Sequence, residues 1–146
     1  MPDPTHSATR NRLLTDARVL ADQLVDDASA AGEAVHTIVR ATLTRPPIPA
    51  PELSRILEPL EQFLAELDQA LRQLGGSLTH GADLFDLVDD HPDADPATVA
   101  RLAADRLDDA ATHAYRGSLQ LGDARNTIAG QTYPAPAPVD RVEVTR

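Results

Sequence analysis

Apolar residues recur along this chain at intervals that alternate between three and four, the spacing of one face of an α-helix. The pattern fills three long stretches, which are separated by proline-containing breaks at residues 46–51 and 91–96. We therefore predict an all-α fold, an antiparallel three-helix bundle of long amphipathic helices with a Pro/Ala-rich C-terminal tail. Residues 1–130 are predicted to form the helical bundle domain, and residues 131–146 an extended or disordered tail.

The first helix is predicted to begin near Asp3-Pro4 or at Ser7, because Asp and Ser are good N-caps and Pro suits the first helical position. It should end before Arg45, since the residue that precedes Pro46 disfavours the helical conformation. One face of this stretch carries apolar or small residues: Leu13, Ala17, Leu20, Leu24, Ala28, Ala31, Val35 and Ile38.

The middle stretch has the most regular pattern, a heptad seam sustained for about five heptads. Pro59 lies inside it and removes a backbone donor, and Gly75-Gly76 can end or soften a helix. Because the seam keeps its register across both features, we favour one long helix bent near Pro59 over two or three shorter ones. The seam consists of Leu53, Leu57, Leu60, Leu64, Leu67, Leu71, Leu74, Leu78, Gly81, Phe85 and Val88.

The third helix is predicted to start with Asp95 as N-cap and Pro96 as its first residue, and to end near Gly130. Small residues dominate its predicted core face, so a neighbouring backbone can approach closely. That face consists of Val99, Ala103, Leu107, Ala110, Ala114, Gly117, Leu121, Ala124 and Ile128.

Large side chains are scarce: 42% of the 146 residues are hydrophobic, but there are two Phe, two Tyr, one Met and no Trp. A buried Leu or Val contributes roughly 1.5–3 kcal/mol and Ala much less, so we expect a core of modest stability. This favours a protein partner or self-association. The chain has no Cys, which excludes disulfides and fits a reducing compartment.

The net charge of −10 is concentrated in residues 51–91, where two Arg face nine acidic residues. This field repels nucleic-acid phosphates and attracts basic partners, so we predict no direct nucleic acid binding. No apolar run approaches the roughly 20 residues that span a bilayer, and the first residues lack a signal-peptide pattern. We therefore expect no membrane association and a cytoplasmic location.

Three groups of residues resemble parts of metal or proton-transfer sites. The Asp cluster from Asp83 to Asp95 lacks the Gly and Glu that a calcium-binding EF-hand loop needs, so we interpret it as a solvated turn and an N-cap. A di-iron bundle would need a second Glu-x-x-His besides Glu33 and His36. Asp109 and His113 form a single helical pair. We therefore predict no metal, no cofactor and no enzymatic activity.

Sustained amphipathic helices without a catalytic constellation favour a non-enzymatic protein–protein interaction module, such as an adaptor, an assembly factor or a small regulatory subunit. The middle helix and its following turn combine the regular seam with most of the acidity. The predicted partner-binding residues are Leu60, Leu64, Leu67, Leu71, Leu74, Leu78, Phe85, Asp86, Asp89 and Asp90.

Two alternatives remain. The plan of long helix, short turn and long helix resembles the Esx class of small secreted helical hairpins, although the turn at Arg45-Pro46-Pro47-Ile48 lacks W-x-G. The tail signal Tyr-x-x-x-Asp/Glu is also missing, because Ala137 lies four residues after Tyr133. The second alternative is an acidic inhibitor or decoy of a nucleic-acid-binding protein, which the charge of residues 51–91 suggests.

Overall fold

The computed structural model describes residues 4–44, 46–85 and 95–134, and these form three helices. The helices are α1 (Pro4–Thr44), α2 (Ala50–Leu84) and α3 (Pro96–Ile128). The all-α prediction is confirmed. Internal contacts divide the chain into two units, Met1–Pro47 and Ile48–Arg146, and each is described here by itself. Residues 135–146 of the predicted tail lie outside the described residues.

The first unit contains the single helix α1, which is 41 residues long. It ends at Thr44, so the predicted stop before Arg45 is confirmed. No second helix belongs to this unit among the described residues. Leu14 is half-buried, and the other large apolar side chains described on α1 are 37–78% exposed: Leu13, Val19, Leu20, Leu24, Val25, Val35, Ile38, Val39 and Leu43.

Helix α2 runs unbroken through Pro59 and through Gly75-Gly76, which confirms the prediction of one long middle helix. Pro49 precedes it in an extended conformation with a ψ of 157°. Pro59 costs the helix one hydrogen bond, but the residue is exposed, so water can reach the carbonyl left without a donor. Gly75 is buried against α3, and this packing holds the helix where its own propensity is low.

Helix α3 begins at the predicted N-cap. The Asp95 carboxylate accepts hydrogen bonds from the Thr98 backbone N–H at 3.1 Å and from the Thr98 hydroxyl at 2.6 Å. These bonds satisfy a donor that the first helical turn would otherwise leave free. The helix ends at Ile128, two residues before the predicted Gly130.

Helices α2 and α3 pack against each other as an antiparallel hairpin. A Cβ built on Gly75 would lie 3.5 Å from the Ala104 carbonyl oxygen, and one on Gly117 would lie 3.0 Å from Leu64 Cδ1. Residues later in α2 therefore contact residues earlier in α3, so the two helices are antiparallel. No large side chain is fully buried among the described residues. The buried positions of the hairpin are all small: Gly75, Ala100, Ala111, Ala114, Ser118 and Gly122.

The two glycines of α2 predict opposite responses to substitution. Nothing lies within 4 Å of a Cβ on Gly76, so Gly76→Ala should stabilise the hairpin by about 0.5–1 kcal/mol through helix propensity. Gly75→Val should destabilise it, because a branched side chain meets the Ala104 backbone. Urea unfolding followed by circular dichroism measures both. Equal effects of the two substitutions would contradict the close approach at Gly75.

The Asp95 cap predicts a pH dependence. Hydrogen bonds from the Thr98 hydroxyl and from the backbone of Thr98 and Ala97 lower the pKa of Asp95 below its ordinary value. Because the folded pKa is the lower one, the stabilisation is present above the ordinary pKa near 3.8 and is lost as the pH falls through the folded pKa.

Asp95→Ala should lower the urea midpoint of unfolding at pH 7. Below pH 4, the midpoint of this variant should decrease less steeply with falling pH than that of the natural chain. Asp95→Asn is the matched control, because it keeps the cap acceptor without the charge. An Asn variant with the same acid-limb slope as the natural chain would show that Asp95 does not carry this dependence.

Candidate interaction face of the helical hairpin

Helix α3 meets α2 along one edge of the face that its apolar pattern selects, and the contact extends beyond that face. The buried residues each follow a residue of the predicted core face by one position, except Ala114, which lies in the predicted face. One residue is a rotation of about 100° on a helix. Val99 is consequently 44% exposed, and Ala110 and Ala124 are exposed as well. In each of the following pairs the first residue belongs to the predicted core face and the second is the buried one: Val99 and Ala100, Ala110 and Ala111, Gly117 and Ser118, and Leu121 and Gly122.

The leucines of α2 are likewise only partly covered. Leu74 is 48% exposed, and the other predicted partner-binding apolar residues on the described part of α2 are half-buried. The seam predicted from the sequence therefore contacts α3 along one edge and leaves the other edge open. The half-buried residues are Leu60, Leu64, Leu67, Leu71, Leu78 and Phe85.

Ion pairs lie along one edge of the contact between α2 and α3. Arg72 Nε donates to the Asp68 carboxylate at 2.8 Å on the same helix, and its guanidinium also bonds Asp108 of α3. At the other end, Arg125 Nε donates to Glu61 at 3.0 Å, with both side chains about one-third exposed. Two of the acidic residues of the middle stretch are thus neutralised across or beside the seam.

Gly122 makes room for the Glu61 carboxylate. A Cβ at Gly122 would lie 2.9 Å from Glu61 Oε1, closer than real Cβ atoms come to an oxygen. Gly122 is buried and helical, so its conformation gives no reason for a glycine there. Because this position has no side chain, the Glu61 carboxylate lies directly against α3 while it pairs with Arg125.

The opposite edge is apolar, and we call it the open face. Leu60 and Leu67 each precede an acidic residue of the ion-paired edge, Glu61 and Asp68, and one residue turns the helix by about 100°. None of the positions of the open face carries a charge. It consists of Leu60, Phe63, Leu67 and Leu74 on α2 and of Ala103, Ala110, Gly117 and Ala124 on α3.

A hydrogen bond ties the segment after α3 to the start of α2. The Tyr133 hydroxyl donates to the Glu52 carboxylate, and this bond, together with burial and the negative charge of Glu52, raises the pKa of Tyr133. Tyr133 belongs to the stretch predicted as tail. The sequence offered no signal for this contact, because it joins residues 81 positions apart.

The remaining sequence candidates are not brought together. Glu33 and His36 are exposed on α1, and Asp109 lies 3.9 Å from Arg106 on an exposed face of α3. Of the predicted partner-binding residues, Asp86, Asp89 and Asp90 lie outside the described residues. Within the described residues, no group of three or more His, Cys, Asp or Glu could hold a metal ion.

Comparison with protein-family models, with curated proteins and with solved structures finds no match for this chain. None of the helices in the described residues is long and apolar enough to cross a membrane.

The packing at Gly122 predicts a measurable coupling. A double-mutant cycle of Glu61→Gln and Arg125→Gln should give an interaction free energy of about 0.5–1 kcal/mol, typical of a partly exposed pair. In a Gly122→Ala background the coupling should weaken, because the new methyl group forces the carboxylate to shift. Urea unfolding of the eight variants measures it. A coupling that Gly122→Ala leaves unchanged would contradict the role given to this glycine.

Proposed function

We propose that this protein is a non-enzymatic helical protein–protein interaction module, whose open face packs against a helical protein partner. The observation that carries the proposal is that the α2–α3 contact covers only one edge of the apolar pattern. A helix buries its apolar face when it can, because that burial supplies most of its tertiary stability. Here the hairpin leaves the predicted core positions Val99, Ala110 and Ala124 exposed.

The energetics favour a covered face. Full burial of a Leu or Phe side chain contributes roughly 1.5–3 kcal/mol relative to exposure, and the open face holds four such side chains on α2 in half-buried or exposed states. The residues already buried are no larger than Ala or Ser. A partner helix can therefore bury apolar surface that the hairpin contact leaves exposed.

Helix α1, taken by itself, supports the same function. Most of its large apolar residues are exposed, and Leu13, Leu20, Leu24, Val35 and Ile38 share one face. An isolated amphipathic helix gains little from propensity alone, so such a helix is typical of chains that act through helix–helix association. The charge on the rest of its surface is mixed, with Arg12, Arg18, Asp22 and Asp26 within four turns.

The secreted Esx-like hairpin is the second candidate, because α2 and α3 do form a long antiparallel helical hairpin. The chain has no Trp, so no W-x-G turn can join any pair of its helices. A blot of the culture filtrate of the native organism, beside a blot of its cell extract, separates this candidate from an interaction module that stays in the cell.

Photo-crosslinking in the native cells tests the interaction module. A benzophenone side chain at Leu74, on the open face, should yield covalent adducts with protein after irradiation. The same probe at Gln69 is the matched control, because Gln69 is exposed on the same helix and points away from the open face. Adducts at both positions, or at neither, would contradict the proposal.

A further inference from the structure

We propose that residues 129–134 form a releasable strap, which the hydrogen bond between Tyr133 and Glu52 holds against the first turn of α2, and whose opening loosens that turn. The inference is independent of the open face, because the strap includes none of the residues of that face. The case for it comes from the path of the chain after α3, from the exposure of the strap and from the way in which α2 begins.

The chain that follows α3 is long enough to reach the start of α2 without tension. Glu61 lies against Gly122, and from this level Glu52 is nine residues, or about 14 Å, nearer to the start of α2. Helix α3 covers about 9 Å of that distance before it ends at Ile128. The five residues from there to Tyr133 can span up to about 16 Å. The strap therefore has slack, and it can open and close while both helices stay in place.

Little besides this one bond holds the strap in place. Its six residues are all exposed, so no buried apolar side chain anchors it. Its first half is a turn, in which the Gln131 backbone N–H donates to the Ile128 carbonyl at 3.0 Å. In the described part of the chain, the Tyr133 hydroxyl makes the only hydrogen bond from residues 131–134 to α2. A hydroxyl binds a carboxylate more strongly than a neutral acceptor, but water competes for both groups at the surface, so the strap is readily released.

Helix α2 begins without a side-chain cap. Its N-cap residue is Pro49, whose side chain has no hydrogen-bonding group, and Pro51 in the first turn has no backbone N–H. The Leu53 backbone N–H donates to the Pro49 carbonyl at 2.9 Å. Helix ends open readily, because their few backbone bonds are exposed to water. Glu52 belongs to this first turn, so its bond to Tyr133 supplies a contact that no cap provides.

The strap couples two segments that are far apart in the sequence. A molecule that engages residues 131–134 and draws the Tyr133 hydroxyl away from Glu52 also removes support from the first turn of α2. Coupling of this kind is reciprocal, so a change that loosens this turn also favours the open strap. The end of the hairpin thus responds as one unit.

Titration of Tyr133 tests the contact itself. The hydrogen bond to Glu52, together with desolvation and the negative charge of that carboxylate, raises the pKa of Tyr133. The chain has two Tyr, so in a Tyr115→Phe background the ultraviolet absorbance of tyrosinate reports Tyr133 alone. Glu52→Gln should lower this pKa towards its ordinary value, because the substitution removes the charge. Glu58→Gln is the matched control, since Glu58 is exposed on the same helix, and the pKa of Tyr133 should stay raised.

Amide hydrogen exchange, measured by NMR on the full chain, tests the coupling to α2. Tyr133→Phe keeps the ring and removes the donor, so the amides of Leu53 and Ser54 should exchange about two- to tenfold faster. Tyr115→Phe is the matched control, because Tyr115 is also about half exposed but lies within α3, away from the first turn of α2. The amide of Leu71, in the interior of α2, should exchange at the same rate in the natural chain and in both variants.

The outcomes separate a strap from a chance surface contact. Faster exchange at the first turn of α2 in Tyr133→Phe, but not in Tyr115→Phe, would support the strap. A Tyr133 pKa that Glu52→Gln leaves unchanged would show that the bond does not form in solution and would overturn the proposal. Unchanged exchange in Tyr133→Phe would show that the bond gives α2 no support, and faster exchange along all of α2 would indicate a global loss of stability. Either result would equally overturn it.

Discussion

The buried side chains between helices α2 and α3 are no larger than Ala or Ser, and the close approach that they allow holds the hairpin together. A Cβ on Gly75 would already touch the Ala104 backbone, so the contact leaves no space for large residues between the helix axes. The large side chains of α2 consequently flank the contact: Leu64 reaches Gly117 of α3, whereas Leu74 is half exposed. The ion pairs at one edge and the open face at the other both follow, because a narrow contact line divides the apolar surface into a closed and an open side.

The sequence predicted the helices well, because their ends depend on local chemistry. Asp95 caps α3 through contacts within its first turn, and α1 stops before the Pro46-Pro47 pair. The continuity of α2 through Pro59 and Gly75 also followed from the sustained heptad register. Interactions between residues that are close in the sequence can be predicted from a single sequence.

The rotation of the helices was not predictable in the same way. A stripe that is apolar over a broad arc tells which side of a helix avoids water, but not which part of that side meets a neighbour. Ala110 and Ala111 are chemically identical, and only the register of α2 against α3 decides that Ala111 is buried and Ala110 exposed. The pairs between Arg72 and Asp108 and between Arg125 and Glu61 depend on the same register, as does the space at Gly122.

The small size of the buried side chains also sets the thermal behaviour of the hairpin. The heat capacity increment of unfolding arises mainly from apolar surface that becomes exposed, and globular domains average about 12–15 cal/mol/K per residue. The buried residues Ala100, Ala111, Ala114 and Gly122 expose little such surface, and the half-buried leucines expose only part of theirs. We therefore expect the lone hairpin to have a smaller increment per residue than an ordinary domain, and a flatter stability curve. Covering the open face adds the curvature that ordinary domains show.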